Sequence, residues 1–323
     1  MVGCGRYAAK QLAPALLETE KCHLTAIVTG NPETAAAWQR EYDIPEGNVY
    51  DYDSFDQIAD NDEIDIVYIV LPNHLHAEYT IRAAHAGKHV ITEKPMAVTV
   101  RDCEAMIEAC DRNGVKLAVG YRLHYDPYHQ EMMRLGQEQV FGPVTIVEAG
   151  YGFTYRRTAA WRFQEEKAGG GALYDVGIYA IQGARYVTGE EPVRVRAQAY
   201  NTRPDIFREI YETILWDMEF PSGAVSTHTT TYTGLIDRLY LMAPDGWAEL
   251  NPAYRYDGLV GRTSQGPMQF PQVNQQALQM DDFAECILGN RESRVSGEEG
   301  LRDLRVIEAI YRSIDNDGIW VNV

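Results

Sequence analysis

The chain has 323 residues, of which 45% are hydrophobic and 24% are charged, a balance typical of globular proteins with room for two domains. Its 29 lysines and arginines against 47 aspartates and glutamates give a net charge of −18, which disfavours nucleic acid as a partner. The sequence has no run of about 18 apolar residues, so we expect no membrane span. The cysteines are scattered without metal-ligand spacing, which predicts reduced thiols and no metal site: Cys4, Cys22, Cys103, Cys110 and Cys286.

The N-terminus has no charged-then-apolar leader, which favours a cytoplasmic protein. The chain starts at Met1-Val2-Gly3, inside a motif that normally follows a complete strand. We therefore expect a truncated first strand, and an export signal further upstream stays open as an alternative.

Residues 1–120 alternate β-branched apolar runs with amphipathic segments, which predicts an α/β domain with a doubly wound parallel sheet of the Rossmann type. The run Ile64–Leu71 is nearly all apolar, as a strand buried on both faces requires. The other predicted strands are His23–Thr29, Lys88–Thr92 and Lys116–Gly120, and the predicted helices are Ala8–Leu17, Pro32–Tyr42, His74–Ala86 and Thr99–Arg112.

After Tyr121 the pattern changes to long alternating strands, separated in places by turn signals such as Pro221-Ser222-Gly223 and Pro244-Asp245-Gly246. Residues 121–323 therefore form a predicted α+β domain for substrate binding and oligomerisation, with a large, mostly antiparallel, open-faced sheet. The predicted strands include Val144–Tyr155, Val193–Tyr200, Tyr211–Phe220 and Ala224–Tyr232, and the covering helices lie near Gly171–Val187, Asn274–Leu288 and Glu298–Ile314.

The segment Gly3–Ala8 fits the pattern G-x-G-x-x-A. Its glycines permit a tight turn and let a pyrophosphate approach the backbone N–H groups of the following helix. An ordinary strand–helix turn is the alternative, but the βαβ context favours a dinucleotide site.

The second predicted strand ends in Val28-Thr29-Gly30-Asn31, without the carboxylate that usually binds the ribose diol of NAD. Small residues leave room for a 2′-phosphate, and Arg6 is a candidate counter-charge, so NADP is favoured over NAD. These residue types would also suit a plain turn.

Two segments carry groups suited to chemistry on a hydroxyl. Glu93-Lys94-Pro95 follows a predicted strand at the carboxyl edge of the sheet, where Lys94 can stabilise a developing alkoxide and the proline can be cis. Asp175 and Tyr179, after Gly169-Gly170-Gly171, are spaced i, i+4 and would share a helix face. A lysine cation near a tyrosine favours the phenolate and makes it a usable base. Taken singly, a solvated lysine and a buried structural tyrosine are the simpler interpretations.

Together these stretches resemble the Gfo/Idh/MocA family over essentially the whole chain, closest to its glucose–fructose oxidoreductase branch. Tyrosine at position 179, where histidine is commoner in the family, marks that branch. The stretches that carry the resemblance are Gly3–Ala8, Val28–Asn31, Leu71–His76, Glu93–Met96, Gly120–Pro127, Trp161-Arg162, Gly169–Tyr179 and Ser296–Gly300.

The resemblance implies an NADP-dependent oxidoreductase that transfers hydride between nicotinamide and the anomeric carbon of an aldose, or a sugar carbonyl in reverse. Tyr179 would exchange the proton, while Lys94 and Asp175 orient the substrate together with Arg122. The implied cofactor-binding residues are Gly3, Gly5, Arg6, Tyr7, Ala8, Thr29, Gly30, Leu71, Pro72, Asn73, His76, Glu93, Lys94, Arg122, Trp161 and Arg162.

Departures from the family pattern keep alternatives open. The lysine that relatives place near the 2′-phosphate is Thr34 here, which weakens the preference for NADP. The exported N-terminal arm of the glucose–fructose oxidoreductase branch is not visible, which favours a homodimer through the open sheet over a tetramer. A dehydrogenase or reductase of another polyol-like substrate, such as D-xylose, and a non-catalytic NADP-sensing protein are the alternative functions.

Overall fold

The computed structural model describes residues 1–158 and 160–323, which form two compact units. The first unit contains residues 1–122 and 274–301, and the second contains residues 123–273 and 302–323. The chain passes from the first unit to the second after residue 122, close to the predicted domain boundary at residue 120. Residues 274–301 were predicted to belong to the second domain, but in the structure they pack with the first unit.

The sheet of the first unit is parallel, as predicted, and its strands are shorter than the apolar runs that contain them. The strand order is β2, β1, β3, β4, β5, with Val2 bridging β1 and β3. The strands are β1 (Ile27–Val28), β2 (Val49–Tyr50), β3 (Ile66–Ile69), β4 (His89–Thr92) and β5 (Leu117–Val119).

Residues 1–3 occupy the middle of this sheet as a short piece of strand. The Val2 N–H donates to Tyr68 O at 2.8 Å, and the Gly3 N–H donates to Val28 O at 2.9 Å. The ammonium of Met1 donates to Ala26 O at 2.7 Å, and burial lowers its pKa to about 6. A cavity of about 150 Å³ lined by Met1 lies between residues 21–28 and 63–68.

Several helices of the first unit begin at a capping side chain. Asn31 accepts a hydrogen bond from Thr34 N at the start of α2, and Thr99 accepts one from Asp102 N at the start of α4. The predicted helix Ala8–Leu17 is not regular, because Pro14 has no N–H to continue the α-helical ladder. It consists of a π-helical turn, Ala8–Leu12, and α1 (Ala13–Leu16); the others are α2 (Pro32–Tyr42), α3 (His76–His85) and α4 (Val100–Arg112).

Residues 274–301 join the first unit through hydrogen bonds that span long stretches of sequence. The Asp281 carboxylate accepts from the backbone N–H groups of Glu20 and Lys21, both at 2.9 Å. The Val119 N–H at the end of β5 donates to Val295 O at 2.8 Å. This segment contains α8 (Gln275–Leu288) and the first turn of α9 (Gly297–Ile314).

The second unit is built on a nine-stranded sheet in the order β13, β12, β11, β10, β6, β9, β8, β7, β14. Only the β6–β9 pair is parallel within it, which confirms the prediction of a large, mostly antiparallel sheet. The strands are β6 (Ile146–Gly152), β7 (Arg194–Tyr200), β8 (Thr213–Glu219), β9 (Val225–Thr231), β10 (Ile236–Ala243), β11 (Gly246–Leu250), β12 (Gly261–Thr263), β13 (Gly266–Pro267) and β14 (Val321–Asn322).

One face of this sheet is buried, and burial alternates along its strands as the period of two requires. The helix that carries Tyr179 packs on that face against β6 and β9 and is almost wholly buried. The helices of this unit are α5 (Pro127–Gln137), α6 (Glu165–Ala168), α7 (Ile178–Thr188) and the part of α9 from Arg302 onward. In the described residues, no helix combines the length and the apolar character that a membrane crossing needs.

Candidate active site

The turn predicted to bind phosphate has two glycines in different environments. Gly3 has φ +92°, and a Cβ added to it would lie 2.5 Å from Val70 O. A Cβ added to Gly5 would meet no atom within 4 Å. Ala8, the last residue of the motif, is buried at the start of the π-helical turn, whereas Arg6 is exposed. The turn therefore leaves open space beside Gly5, as an approaching pyrophosphate needs.

The tip of β1 carries hydrogen-bonding groups and no carboxylate. The Thr29 hydroxyl accepts from Asn31 N at 3.3 Å, and the Asn31 side chain caps α2. The ring of Tyr52 lies 3.3 Å from the position of a Cβ on Gly30. This tip therefore has no carboxylate that would repel a 2′-phosphate.

His76 connects two of the loops to which the resemblance assigns cofactor contacts. Its Nε2 lies 2.9 Å from Leu71 O, and its Nδ1 lies 2.9 Å from Pro95 O. The side chain is completely buried, and burial lowers its pKa. We infer that His76 braces Leu71–Asn73 against the Lys94–Pro95 peptide. That peptide is cis, which confirms the prediction for Pro95.

Glu93 forms a polar cluster with Tyr68 and the backbone of Lys94, of which only Glu93 and Lys94 were predicted from the sequence. Its carboxylate accepts from the hydroxyl of Tyr68 at 2.8 Å and from Lys94 N at 3.3 Å. Burial raises the pKa of Glu93, and the charge of Lys94 opposes this rise. Gly120 leaves room for this carboxylate, since an added Cβ would lie 2.8 Å from Glu93 Oε1. Tyr68 was missed because it stands within an apolar strand pattern.

Arg122 is buried in the first unit, where its guanidinium donates to the side-chain oxygen of Gln275 at the start of α8. Gln275 was not predicted as a site residue from the sequence. The two residues are 153 positions apart, and neither lies in a local pattern that would have paired them.

The three glycines before the proposed catalytic helix all have positive φ, at +84°, +156° and +68° for Gly169, Gly170 and Gly171. The Tyr311 hydroxyl donates to Gly170 O at 2.7 Å and holds this turn. The predicted regular helix after the turn is wrong in its first part. A π-helical turn, Leu173–Gly177, which contains Asp175, comes before α7, which contains Tyr179.

Asp175 is held by a donor at each of its two oxygens. Arg162 Nε lies 3.3 Å from Oδ1, and the Tyr232 hydroxyl donates to Oδ2 at 3.0 Å. The guanidinium of Arg162 in turn lies over the ring of Trp161, with Cζ 4.4 Å from the ring centroid. The charge of Asp175 raises the pKa of Arg162, so the guanidinium stays a cation.

Tyr179 has aromatic neighbours of its own. Its ring lies edge-on to Tyr151, with the centroids 5.8 Å apart, and 6.0 Å from the ring of Tyr254. Tyr151 and Tyr254 are themselves 5.2 Å apart. These rings fix the orientation of Tyr179 on the buried face of the sheet.

The structure thus brings Asp175 together with Arg162, Trp161 and Tyr232, all in the second unit, which also contains Tyr179. Lys94 belongs to the first unit, and its action together with Asp175 and Tyr179 stays a prediction.

Three family models match the chain and together span nearly all of it. Residues 1–121 match the "Oxidoreductase family, NAD-binding Rossmann fold", residues 129–239 match the "GFO/IDH/MocA C-terminal domain", and residues 256–323 match the "Oxidoreductase family, C-terminal alpha/beta domain".

Individual relatives agree with these matches. The chain is 28% identical to a D-xylose 1-dehydrogenase [NADP(+)] of Haloarcula marismortui, over 98% of this chain and 91% of that protein. It is 43% identical to the solved aldose–aldose oxidoreductase of Caulobacter crescentus, with a TM-score of 0.97 over 100% of this chain and 98% of that one. A 3-ketoreductase of Actinomadura kijaniata, solved with NADP and TDP-benzene, shares the fold at 23% identity and a TM-score of 0.84, over 97% and 96% of the two chains. The chain therefore belongs to the Gfo/Idh/MocA family of oxidoreductases.

Proposed function

We propose that this protein is an NADP-dependent sugar oxidoreductase that oxidises the anomeric carbon of an aldose. The observation that carries the proposal is the 43% identity, along the whole chain, with an aldose–aldose oxidoreductase. The relation to an NADP-dependent D-xylose 1-dehydrogenase supports the same substrate class and the same cofactor.

NADP, when bound, supplies the hydride acceptor, and the residues of this chain bind it and handle the proton. Gly3 and Gly5 form the turn for its pyrophosphate, and the uncharged Thr29-Gly30 tip is suited to its 2′-phosphate. Arg122, Trp161 and Arg162 are the further binding residues implied by the resemblance.

Tyr179 is proposed to accept the proton of the anomeric hydroxyl as the hydride leaves the same carbon, and the product is a lactone. Lys94 stabilises the developing negative charge on that oxygen. Asp175 accepts a hydrogen bond from a neighbouring hydroxyl and thereby orients the sugar. In the reverse direction Tyr179 returns the proton to the carbonyl oxygen.

The test is turnover of purified protein on a panel of aldoses, with NADP⁺ or NAD⁺ as acceptor, followed by nicotinamide absorbance and by identification of the lactone. We expect activity with NADP⁺ and a weaker or absent response to NAD⁺. Thr29→Asp should shift the preference toward NAD⁺, because the new carboxylate repels a 2′-phosphate. Tighter binding of NAD⁺ by the wild-type protein would contradict the cofactor assignment.

A second candidate is a reaction in which the cofactor stays bound while one aldose is oxidised and another is reduced. The similarity to the aldose–aldose oxidoreductase favours it. Desalted protein given two sugars and no free NADP would form lactone and alditol over many turnovers. Product formation that stops at one equivalent per subunit, and resumes with added NADP⁺, would instead identify a dehydrogenase of the D-xylose 1-dehydrogenase type.

We also propose that two copies associate through the exposed face of the nine-stranded sheet. That face carries paired charges, including Arg238 with Glu148 and Glu249, and a stacked pair of rings, Tyr240 and Trp247. Light scattering should give the mass of a dimer, and Arg238→Glu should give a monomer. A monomeric wild-type protein would contradict this arrangement.

A further inference from the structure

The hydroxyl of Tyr232 is not needed for the packing of its side chain. The side chain is completely buried in a cluster with Phe163, Phe207, Ile210 and Val176. A phenylalanine would fit this cluster as well, and burying a hydroxyl is costly unless it is hydrogen-bonded. The partner of this hydroxyl is Oδ2 of Asp175, at 3.0 Å.

The position of Tyr232 is fixed by its backbone as well as by its ring. Its N–H donates to Glu212 O at 3.1 Å, and its carbonyl accepts from Tyr155 N at 2.9 Å. Its ring stacks on Phe163 with the centroids 5.7 Å apart. The backbone and the ring of Tyr232 are therefore both held in place, and this fixes the direction from which its hydroxyl approaches Asp175.

The direction of this hydrogen bond does not change with pH over the range in which the enzyme would work. Burial and the charge of Asp175 raise the pKa of Tyr232 well above 10, so the phenol keeps its proton and donates it to the carboxylate. Arg162 supplies a charged donor to the other oxygen, at 3.3 Å from Oδ1.

The Asp175 side chain remains 14% exposed. A carboxylate accepts hydrogen bonds in several directions, so its exposed part can accept from a ligand as well as from Arg162 and Tyr232, in an orientation that these two donors help to define. A ligand that donates a hydroxyl proton fits this position.

We propose that Tyr232 is a positioning residue for sugar oxidation, whose hydroxyl holds Asp175 as an acceptor for one hydroxyl of the substrate. This inference rests on the proposed function and adds a residue to it. Tyr232 acts only through Asp175, and its substitution changes how the sugar is held while the cofactor stays bound normally.

The experiment compares Tyr232→Phe with Tyr186→Phe. Tyr186 is a buried tyrosine in the same unit whose ring packs against His124, and it serves as the matched control. Tyr232→Phe should keep the NADPH affinity and lower kcat/KM for the aldose by about 10- to 100-fold, the effect of losing one hydrogen bond to a charged group. The acidic limb of its kcat/KM profile should move to higher pH, because a carboxylate that loses a donor is more easily protonated.

A double-mutant cycle with Asp175→Ala tests whether Tyr232 acts through the carboxylate. In that background Tyr232→Phe should have no further effect on kcat/KM. An equal loss in both backgrounds, or wild-type kcat/KM in the single variant, would overturn the proposal.

A measurement without substrate separates this inference from the proposed function. The Asp175 carboxyl is titrated by carbon-13 NMR, with its signal assigned by its loss in Asp175→Asn. A higher pKa in Tyr232→Phe than in the wild-type protein supports the hydrogen bond even if no aldose is turned over, and an unchanged pKa contradicts it.

Discussion

In the phosphate-binding turn, replacing Gly3 by alanine should lower the stability of the protein, whereas replacing Gly5 should lower its affinity for the cofactor and leave its stability nearly unchanged. Gly3 has φ +92°, and a non-glycine residue in that region costs about 1–3 kcal/mol. An added Cβ would also lie 2.5 Å from Val70 O, which cannot easily retreat because Val70 N donates to Val2 O at 2.8 Å. We expect Gly3→Ala to lower the free energy of unfolding by about 2–4 kcal/mol.

Gly5→Ala adds its methyl group to open space and lies outside the positive-φ region. The free energy of unfolding without cofactor should therefore stay within about 1 kcal/mol of the wild-type value. The same methyl group would stand where a pyrophosphate approaches the backbone. NADPH affinity should fall by at least about tenfold, which corresponds to about 1.4 kcal/mol.

Urea unfolding of the cofactor-free protein and titration of NADPH by fluorescence measure the two effects separately. If Gly5→Ala binds NADPH as the wild-type protein does, the assignment of this turn to the pyrophosphate is wrong. If Gly3→Ala is as stable as the wild-type protein, the conformational argument fails.

Three further predictions concern catalysis, stability and pH. Tyr179→Phe should keep NADPH affinity but lower kcat by about 10²–10⁴-fold, the usual contribution of a positioned acid–base group, and near-normal turnover would refute the proton transfer. Asp303→Asn should lower the free energy of unfolding, measured in urea, by about 2–4 kcal/mol, because the Asp303 carboxylate is 0% exposed and accepts from Arg185 at 2.6 Å. The control is Asp217→Asn, which removes a more exposed ion pair with Arg196 and should cost at most about 1 kcal/mol. Burial lowers the pKa of His228 from its ordinary value of 6.5 to about 3, so stability that is present above pH 6.5 should be lost as the pH falls toward 3. Between pH 7 and about 4.5 the wild-type protein should lose about 3 kcal/mol more than His228→Gln, and equal losses would contradict this.

Local patterns in the sequence predicted the elements whose determinants are local. The helix Pro32–Tyr42 has the predicted bounds, because Asn31 caps it and Pro32 is suited to its first turn. The turn at Pro244-Asp245 joins β10 to β11, where Ala243 pairs with Gly246. The parallel sheet of the first unit was recognisable because strands buried on both faces are continuous apolar runs.

Features that depend on distant residues were not predictable in this way. The hydroxyl of Tyr232 reaches Asp175 across 57 positions, and both residues stand in patterns that fit an ordinary strand and helix. The return of 274–301 to the first unit depends on hydrogen bonds such as that from Val119 N of β5 to Val295 O, which leave no periodic signal in the sequence. The π-helical turn around Asp175 adds one residue per turn without a distinctive sequence.

The central claim, that hydride leaves the anomeric carbon of an aldose for NADP, is tested most directly with a sugar deuterated at C1. The purified protein is incubated with this aldose and NADP⁺, and the reduced cofactor and the sugar product are analysed by mass spectrometry. The account predicts one deuterium in NADPH and an unlabelled lactone. NADPH without deuterium, or deuterium retained in the oxidised sugar, would contradict it.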